Sequence, residues 1–182
     1  DMSGSTRKLP NVLITGTPGT GKTTSAERVA AALAGFKHVN VSELVKEKSL
    51  HSGKHEDAEL DTFELDEDMV CDELEEQMTS GGNVLDFHSC DFFPERWFDL
   101  VVILRTDNDV LFPRLEKRGY SDKKIQENVD CEIMCVVAEE ARESYREDIV
   151  WELQSNTIAQ MDANVARIAT QLGQWASIEP TL

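Results

Sequence analysis

Three apolar residues, Val12-Leu13-Ile14, run into Gly16-Thr17-Pro18-Gly19-Thr20-Gly21-Lys22-Thr23, and helix formers follow from Lys22 to Leu33. The tract fulfils G-x-x-x-x-G-K-[ST] in full, and it lies between a strand and a helix, the setting in which the pattern has physical meaning. Its glycines let the backbone close around an anion so that successive N–H groups point inward, and the helix start adds its positive dipole end. Lys22 brings a full charge to β- and γ-phosphates, and the Thr23 hydroxyl suits magnesium. Gly16 to Thr23 are therefore the expected nucleotide-binding tract.

The rest of the chain alternates strand and helix patterns. Short apolar runs at His38–Val41, Val84–Phe87 and Leu100–Leu104 read as strands, with a fifth at Ile149–Leu153. Ser42 is the expected cap of the helix through Leu44 and Val45, Asp66 caps the helix that Gly81-Gly82 ends, and Ser121 caps another. Between Asp107 or Asp109 and Gly119 lies a further helix. Ile125, Val129, Ile133, Val136, Val137 and Ala141 keep helical spacing, and Asp162 is the expected cap of a last helix. Residues 49–64 read as an irregular insertion. The pattern predicts an α/β fold, a parallel sheet with helices on both faces. With 182 residues, 40% apolar and 29% charged, the chain suits one domain with a full core.

Composition narrows the function classes. Net charge is −17, and residues 51–100 hold sixteen acids against two bases. Such a balance disfavours sequence-independent grip on nucleic acid, which needs bases to neutralise phosphates. No apolar run approaches the ~18 residues of a membrane span, and Asp1–Pro10 shows no apolar signal core. A cytosolic or nuclear setting is expected. Cys71, Cys90, Cys131 and Cys135 contain no C-x-x-C pair, so free thiols are expected rather than structural zinc.

Further residues suit phosphate chemistry. Val84 and Leu85 lead into Asp86, which places a carboxylate at a strand's carboxyl end beside the glycine-rich tract, where it can orient magnesium. His88 faces the same side if the strand alternation continues. Phe87, Phe92, Phe93, Trp97 and Phe98 suit packing. Arg114 and Arg118 are i, i+4 neighbours near Gly119, a suitable pair for a moving clamp over phosphates. A GTPase would need N-K-x-D, which does not occur, and a D-x-x-G switch beyond the phosphate loop, where Asp86 is instead followed by Phe87-His88-Ser89. A small kinase or a compact ATPase remains.

At these residues the chain resembles the nucleoside monophosphate kinases, and within them the adenylate kinase isoenzyme 6 family. The resemblance runs from about Leu9 to Ser155, with Asp86-Phe87-His88-Ser89-Cys90-Asp91-Phe92-Phe93-Pro94-Glu95-Arg96-Trp97-Phe98 as its most specific segment. It implies a three-layer P-loop fold on a five-stranded parallel sheet, one domain over 1–182, with a monophosphate-binding insertion at about 40–65 and a lid at about 117–127. Thr24 would join the nucleotide tract and Arg118 would reach over ATP from the lid, with Arg114 beside it. Lys22, Asp86, His88 and Arg118 would carry catalysis, Asp86 and His88 as the family's D-x-H. Thr23 and Asp86 would serve Mg²⁺. Asn40 and Lys46 would face the monophosphate. The implied activity is ATP + AMP to 2 ADP with ATPase activity besides. Implied too are a monomer in nucleus and cytoplasm, a role in small ribosomal subunit maturation, and a basic ribosomal protein and pre-ribosomal RNA as partners.

Departures from the wider adenylate kinase pattern bear on the acceptor. Lys46 stands where an arginine is usual, without the bidentate fork. The usual G-F-P-R tract is replaced by Phe87-His88-Ser89-Cys90, and the arginine-rich stretch after the lid by Glu127-Asn128 and its neighbours. Two rival readings stay open: an assembly factor whose ATPase cycle gates release of a partner, and a small-metabolite kinase of the shikimate or gluconate kind.

Overall fold

Strand β1 (Val12–Thr15) lies at the centre of a five-stranded sheet, flanked by β5 (Asn83–Phe87) and β6 (Leu100–Arg105). The edges are β2 (Lys37–Asn40) and β7 (Val150–Gln154), giving the order β2-β5-β1-β6-β7. Every pairing in it is parallel. The computed structural model describes residues 7–54 and 63–176, the side chains of 52–54 and 63–64 excepted.

Period-two alternation sorts the strands' side chains onto two faces. Val12, Ile14, Val84, Leu100, Val102 and Leu104 turn toward α1 (Lys22–Ala32) and α7 (Ile158–Ala176), where Ala26, Val29, Val165, Ile168 and Leu172 meet them. Leu13, Leu85, Phe87, Val101 and Ile103 turn to the opposite face. There they meet α2 (Val41–Lys48), α3 (Glu67–Ser80) and α6 (Val136–Ser144) through residues such as Val45, Leu74 and Ala141. Phe87, Phe92, Phe93, Trp97, Phe98 and Tyr145 form a chain of edge-to-face and tilted ring contacts on this face. The aromatic cluster is packing, with Trp97 wholly buried; each such side chain contributes about 1.5–3 kcal/mol. The expected α/β sheet with helices on both faces is the observed fold.

Several boundaries differ from the sequence expectations, each for a local reason. Asn40, not Ser42, caps α2: its side chain accepts from the Glu43 N–H, so the helix starts where β2 ends. The expected irregular insertion contains an antiparallel pair, β3 (His51–Lys54) and β4 (Phe63–Leu65); residues 55–62 between them lie outside the described residues. The run from Ile125 to Ala141 is two helices, α5 (Asp122–Ile133) and α6, because Cys135 takes a left-handed conformation at φ 56°. That break leaves Ile133 and Val136 exposed rather than inward. Helix α7 begins ahead of Asp162, and Thr157 accepts from the Gln160 N–H in the manner of a cap. Asp66 and Ser121 cap α3 and α5 as expected.

Between β6 and β7 the chain builds α4 (Asn108–Lys117) and α5, which share a small core of Leu111, Leu115, Ile125 and Val129 with Tyr120 against it. This unit overhangs the carboxyl ends of the strands. Connections from β1 and β6 leave toward opposite edges of the sheet, which opens a crevice at those ends. Among the described residues no helix is long and apolar enough to cross a membrane.

Candidate active site

The crevice is a cleft of about 830 Å³, within the size range of ligand sites. One wall is the turn between β1 and α1. Gly16 at φ +152° passes so close to β6 that a Cβ would lie 2.8 Å from the Leu104 carbonyl oxygen. Gly19, at φ +93°, would put a Cβ 2.8 Å from Leu111 of the overhanging unit. Only glycine allows both approaches. The turn is braced from behind: the Thr20 hydroxyl donates to Thr17 O at 2.8 Å, and the Ser155 hydroxyl to Thr20 O at 2.7 Å. Arg114 donates to Gly19 O at 3.2 Å, Ser155 O at 2.9 Å and Asn156 O at 3.0 Å. Its guanidinium thus joins the turn to the segment after β7, while Arg118, at the end of α4, lines the cleft itself. The expected arginine pair therefore divides its labour.

Lys22, in the first turn of α1, donates to Thr17 O at 3.1 Å. Burial pushes its pKa down to about 8; Arg118 adds to the shift, and Asp86 and Glu132 oppose it. A half-buried ammonium whose one hydrogen bond goes to a carbonyl is available to a stronger anionic partner, and phosphate oxygens are of that kind.

Asp86 is buried on β5, and its Oδ1 accepts from the Thr23 hydroxyl at 3.2 Å. A hydroxyl and a carboxylate oxygen side by side form the hard oxygen donor set that magnesium prefers, so these residues fit the ion. The other carboxylate oxygen pairs with Nε2 of His38 on β2. Nothing along the chain announces His38; the sheet order does, because β2 pairs with β5 and sets His38 opposite Val84, two residues from Asp86.

His88 also lines the cleft, although β5 ends at Phe87. Surrounding protein, then the charges of Lys22 and Lys124, push its pKa down to about 4. His88 is nevertheless exposed to solvent, which tempers the burial contribution; the two lysines sustain the direction. The imidazole is neutral at pH 7. Because the unfolded chain takes up this proton near the ordinary value of about 6.5, stability contributed by neutral His88 is complete above that value. It is lost as pH falls toward about 4. Denaturant titrations across this window should show a shallower loss in His88→Gln than in the parent; parallel curves would place the ring in free solvent.

Asn40 and Lys46 line the opposite wall, with Ser42 between them. Asn40 spends its side-chain oxygen on capping α2. Thr24 is exposed on the first turn of α1. Thr17, Pro18, Lys22, Thr23, Asn40, Lys46, Asp86, His88 and Arg118 thus share one cleft.

Two further carboxylates carry no motif in the sequence. Glu132 is buried and accepts from Thr17 Oγ1 at 2.6 Å, Arg105 Nε at 2.6 Å and the Thr106 N–H at 3.2 Å. Its signal is phase: Ile125, Val129 and Glu132 share the buried face of α5, so an acid occupies an apolar-periodic position. Glu140 on α6 accepts from the Cys90 N–H at 2.6 Å, the Asp91 N–H at 3.1 Å and the Ser89 hydroxyl at 3.0 Å. It shapes the loop after His88 and lines the cleft.

Known proteins carry the same pattern. The AAA domain family matches residues 12–135. An adenylate kinase isoenzyme 6 homolog of Dictyostelium discoideum is 52% identical over 169 residues, 93% of this chain and 95% of that one. The Caenorhabditis elegans homolog is 49% identical over 93% of each chain. The homolog FAP7 of Saccharomyces cerevisiae is 43% identical over 94% of this chain and 86% of its own. Among solved structures, a shikimate kinase from Acinetobacter baumannii in complex with shikimate superposes with TM-score 0.61 at 18% identity, covering 94% of this chain and 96% of that one. A gluconokinase from Sinorhizobium meliloti gives 0.52 at 15% identity, covering 92% and 98%. Those two share the P-loop kinase fold and, at such identities, nothing finer. The likeness that spans nearly the whole chain is of another order, and it places this P-loop kinase in the adenylate kinase isoenzyme 6 family.

Proposed function

We propose that this kinase transfers the γ-phosphoryl group of Mg·ATP to a nucleoside monophosphate, AMP in the first place, giving two molecules of ADP, and that it also hydrolyses ATP. The observation that carries the reading is the single cleft with two dissimilar walls. The phosphate loop and Arg118 form the donor side, Asn40, Ser42 and Lys46 the acceptor side, and Asp86 and His88 lie between.

Each residue has a role that follows from its position. Lys22 neutralises charge on the β- and γ-phosphates, and its displacement from Thr17 O accompanies binding. Arg118 sits on the overhanging unit and reaches the transferred group as that unit closes. Closure excludes water that would otherwise take the phosphoryl group. His88, neutral at pH 7, offers a ring nitrogen to position the acceptor oxygen. Thr23 and Asp86 would hold magnesium, which when bound spreads the charge of the phosphates.

Arg118→Ala should lower kcat roughly thirtyfold, short of the 10²–10³ of a buried, preorganised donor because this side chain is exposed. KM for ATP should move less than about threefold, since the contact matters most as charge develops. Steady-state kinetics check both; a fall in melting temperature with kcat unchanged would make Arg118 a structural helix end.

A second reading, ATP hydrolysis coupled to release of a protein or RNA partner, is favoured by one observation. Arg118 is the only arginine among the described residues lining the cleft, and Glu67, Asp86, Glu127 and Glu140 share its walls. Those carboxylates oppose a free phosphate monoester on the acceptor side. Incubation with Mg·ATP, with and without AMP, separates the readings. AMP-dependent ADP supports monophosphate kinase activity, AMP-independent phosphate release supports the ATPase, and inertness to both returns the question to a small metabolite.

We extend the proposal to small ribosomal subunit maturation in nucleus and cytoplasm by a monomer, with a basic ribosomal protein and pre-ribosomal RNA as partners. Its support is the net charge of −17 and the twelve acids without a base between Glu56 and Glu76, which steer a basic partner at low salt. The first of these acids lie outside the described residues.

A further inference from the structure

Glu132 is a buried carboxylate outside the cleft lining, whose charge helps hold the Lys22 proton but whose three hydrogen bonds have no part in phosphoryl transfer. Its three donors come from separate stretches of chain: Thr17 from the phosphate loop, Arg105 from the end of β6, and the N–H of Thr106 beyond it. Glu132 itself sits in the last turn of α5, whose first turns fall within the expected lid at about 117–127. Lys124, Glu127, Asn128 and Cys131 of the same helix line the cleft. Three residues past Glu132 the chain breaks at the left-handed Cys135. Helix α5 therefore has its first turns beside the cleft and its last turn held at Glu132.

Thr17 is the complementary half. Its hydroxyl is spent on Glu132. Its carbonyl receives both the Lys22 ammonium and the Thr20 hydroxyl. A shift of Glu132 is thus a shift of the peptide on which Lys22 rests when no phosphate is bound.

We propose that Glu132 is a positioning residue that clamps helix α5 to Thr17 of the phosphate loop, so that ordering of the loop by nucleotide and seating of the lid helix are a single event. The proposal rests on the reading of that loop as the ATP site. The Glu132–Arg105 pair supplies the stiffness, since both groups are largely buried and Arg105 is held from its other side by Glu152 at 2.9 Å. The Thr17–Glu132 bond supplies the connection. In physical terms the clamp is a coupling between two parts of one site, and a coupling is measured by the failure of two changes to act independently.

The experiment uses Thr17→Val, Thr17→Ser, Glu132→Gln and the Thr17→Val/Glu132→Gln double variant of the whole chain, with Mg·ATP as probe. Two quantities are read: the ATP dissociation constant, and the protection of α5 amides from hydrogen exchange when ATP binds. Thr17→Val and Glu132→Gln should each weaken ATP about tenfold, as expected for loss of a hydrogen bond to a charged group. The double variant should be no weaker than the worse single one, and Thr17→Ser, which keeps the hydroxyl, should stay within about twofold of the parent. In both weakened variants ATP should still protect the phosphate-loop amides but no longer those of α5. A purely structural role for Glu132 would lower the melting temperature and leave the α5 protection in place, and that result would overturn the proposal. So would effects that multiply in the double variant. Should Glu132→Gln fail to fold, Thr17→Val carries the test alone, because it leaves Glu132 bonded to Arg105 and Thr106. A parent that binds no Mg·ATP would remove the phosphate-loop reading and the clamp together, an outcome distinct from variants that bind as the parent does.

Discussion

Lys22→Ala should lower phosphoryl transfer about a thousandfold while the melting temperature of the empty protein holds or rises. The activity loss follows from removing the full positive charge that the phosphate loop itself supplies. The stability expectation follows from the same residue's burial. With a folded-state pKa near 8 against an ordinary 10.5, ionised Lys22 costs the empty protein stability at neutral pH; water partly reaches the side chain, so the penalty stays below the roughly 3 kcal/mol of the full shift. Alanine gives up one hydrogen bond, to Thr17 O, and removes that penalty. The sign can be checked independently. Between about pH 8 and 10.5 the unfolded chain holds the lysine proton and the folded one releases it, so parental stability should rise across this window. In the variant that rise should vanish. ADP formation and calorimetry of the two empty proteins test the pair of effects. Retention of more than about a tenth of parental activity would remove Lys22 from the phosphate site.

The parts of this site that are local in sequence are also the parts that the sequence reveals. The phosphate loop is legible because Gly16, Gly19, Gly21, Lys22 and Thr23 act through a single turn whose spacing is its geometry. Asp86 is legible because an acid closing an apolar run ends a strand at the sheet's carboxyl edge. His38 is of a different kind. Its pairing with Asp86 exists only because β2 docks beside β5, an adjacency set by sheet order between residues 48 apart. Arg114 depends on its neighbours in the same way. Its i, i+4 relation to Arg118 is real, yet the end of α4 sends one guanidinium into the cleft and the other onto the carbonyls of Gly19, Ser155 and Asn156. Spacing on a helix gives the face; the neighbours on that face decide the role.

Glu132 and Ile133 carry the same lesson for burial. Hydropathy favours Ile133 as the inward residue, and the structure buries Glu132 and leaves Ile133 56% exposed. Three donors converge where α5 meets the phosphate loop, and an apolar side chain there would orphan them at a cost of about 1–3 kcal/mol for each group left buried. The acceptor side is the least legible for a related reason. Lys46 offers a point charge, Asn40 is committed to its cap, and the residues of the proposed acceptor wall come from several elements rather than from one motif.

Asp86→Asn should cost about a hundredfold in turnover at low millimolar magnesium, with part of the loss recovered as magnesium is raised. Asparagine keeps the volume of a side chain that is 4% exposed, and its oxygen can still accept from Thr23, so the fold should survive. What disappears is charge, and it disappears in two ways that reinforce one another. The oxygen pair formed with Thr23 loses its affinity for a divalent ion. Lys22 also loses Asp86, the stronger of the two carboxylates that hold its proton against burial, so a larger share of it is neutral at a given pH. The alkaline limb of the pH–rate profile should therefore move to lower pH in the variant, in addition to the changed magnesium titration. His38→Gln provides the contrast, since it removes the other partner of Asp86 while keeping the carboxylate. It should shift the magnesium titration far less than Asp86→Asn does. If the titration of Asp86→Asn overlays that of the parent, Asp86 serves β5 and His38 rather than the metal. If only the pH limb moves, its charge acts through Lys22 alone.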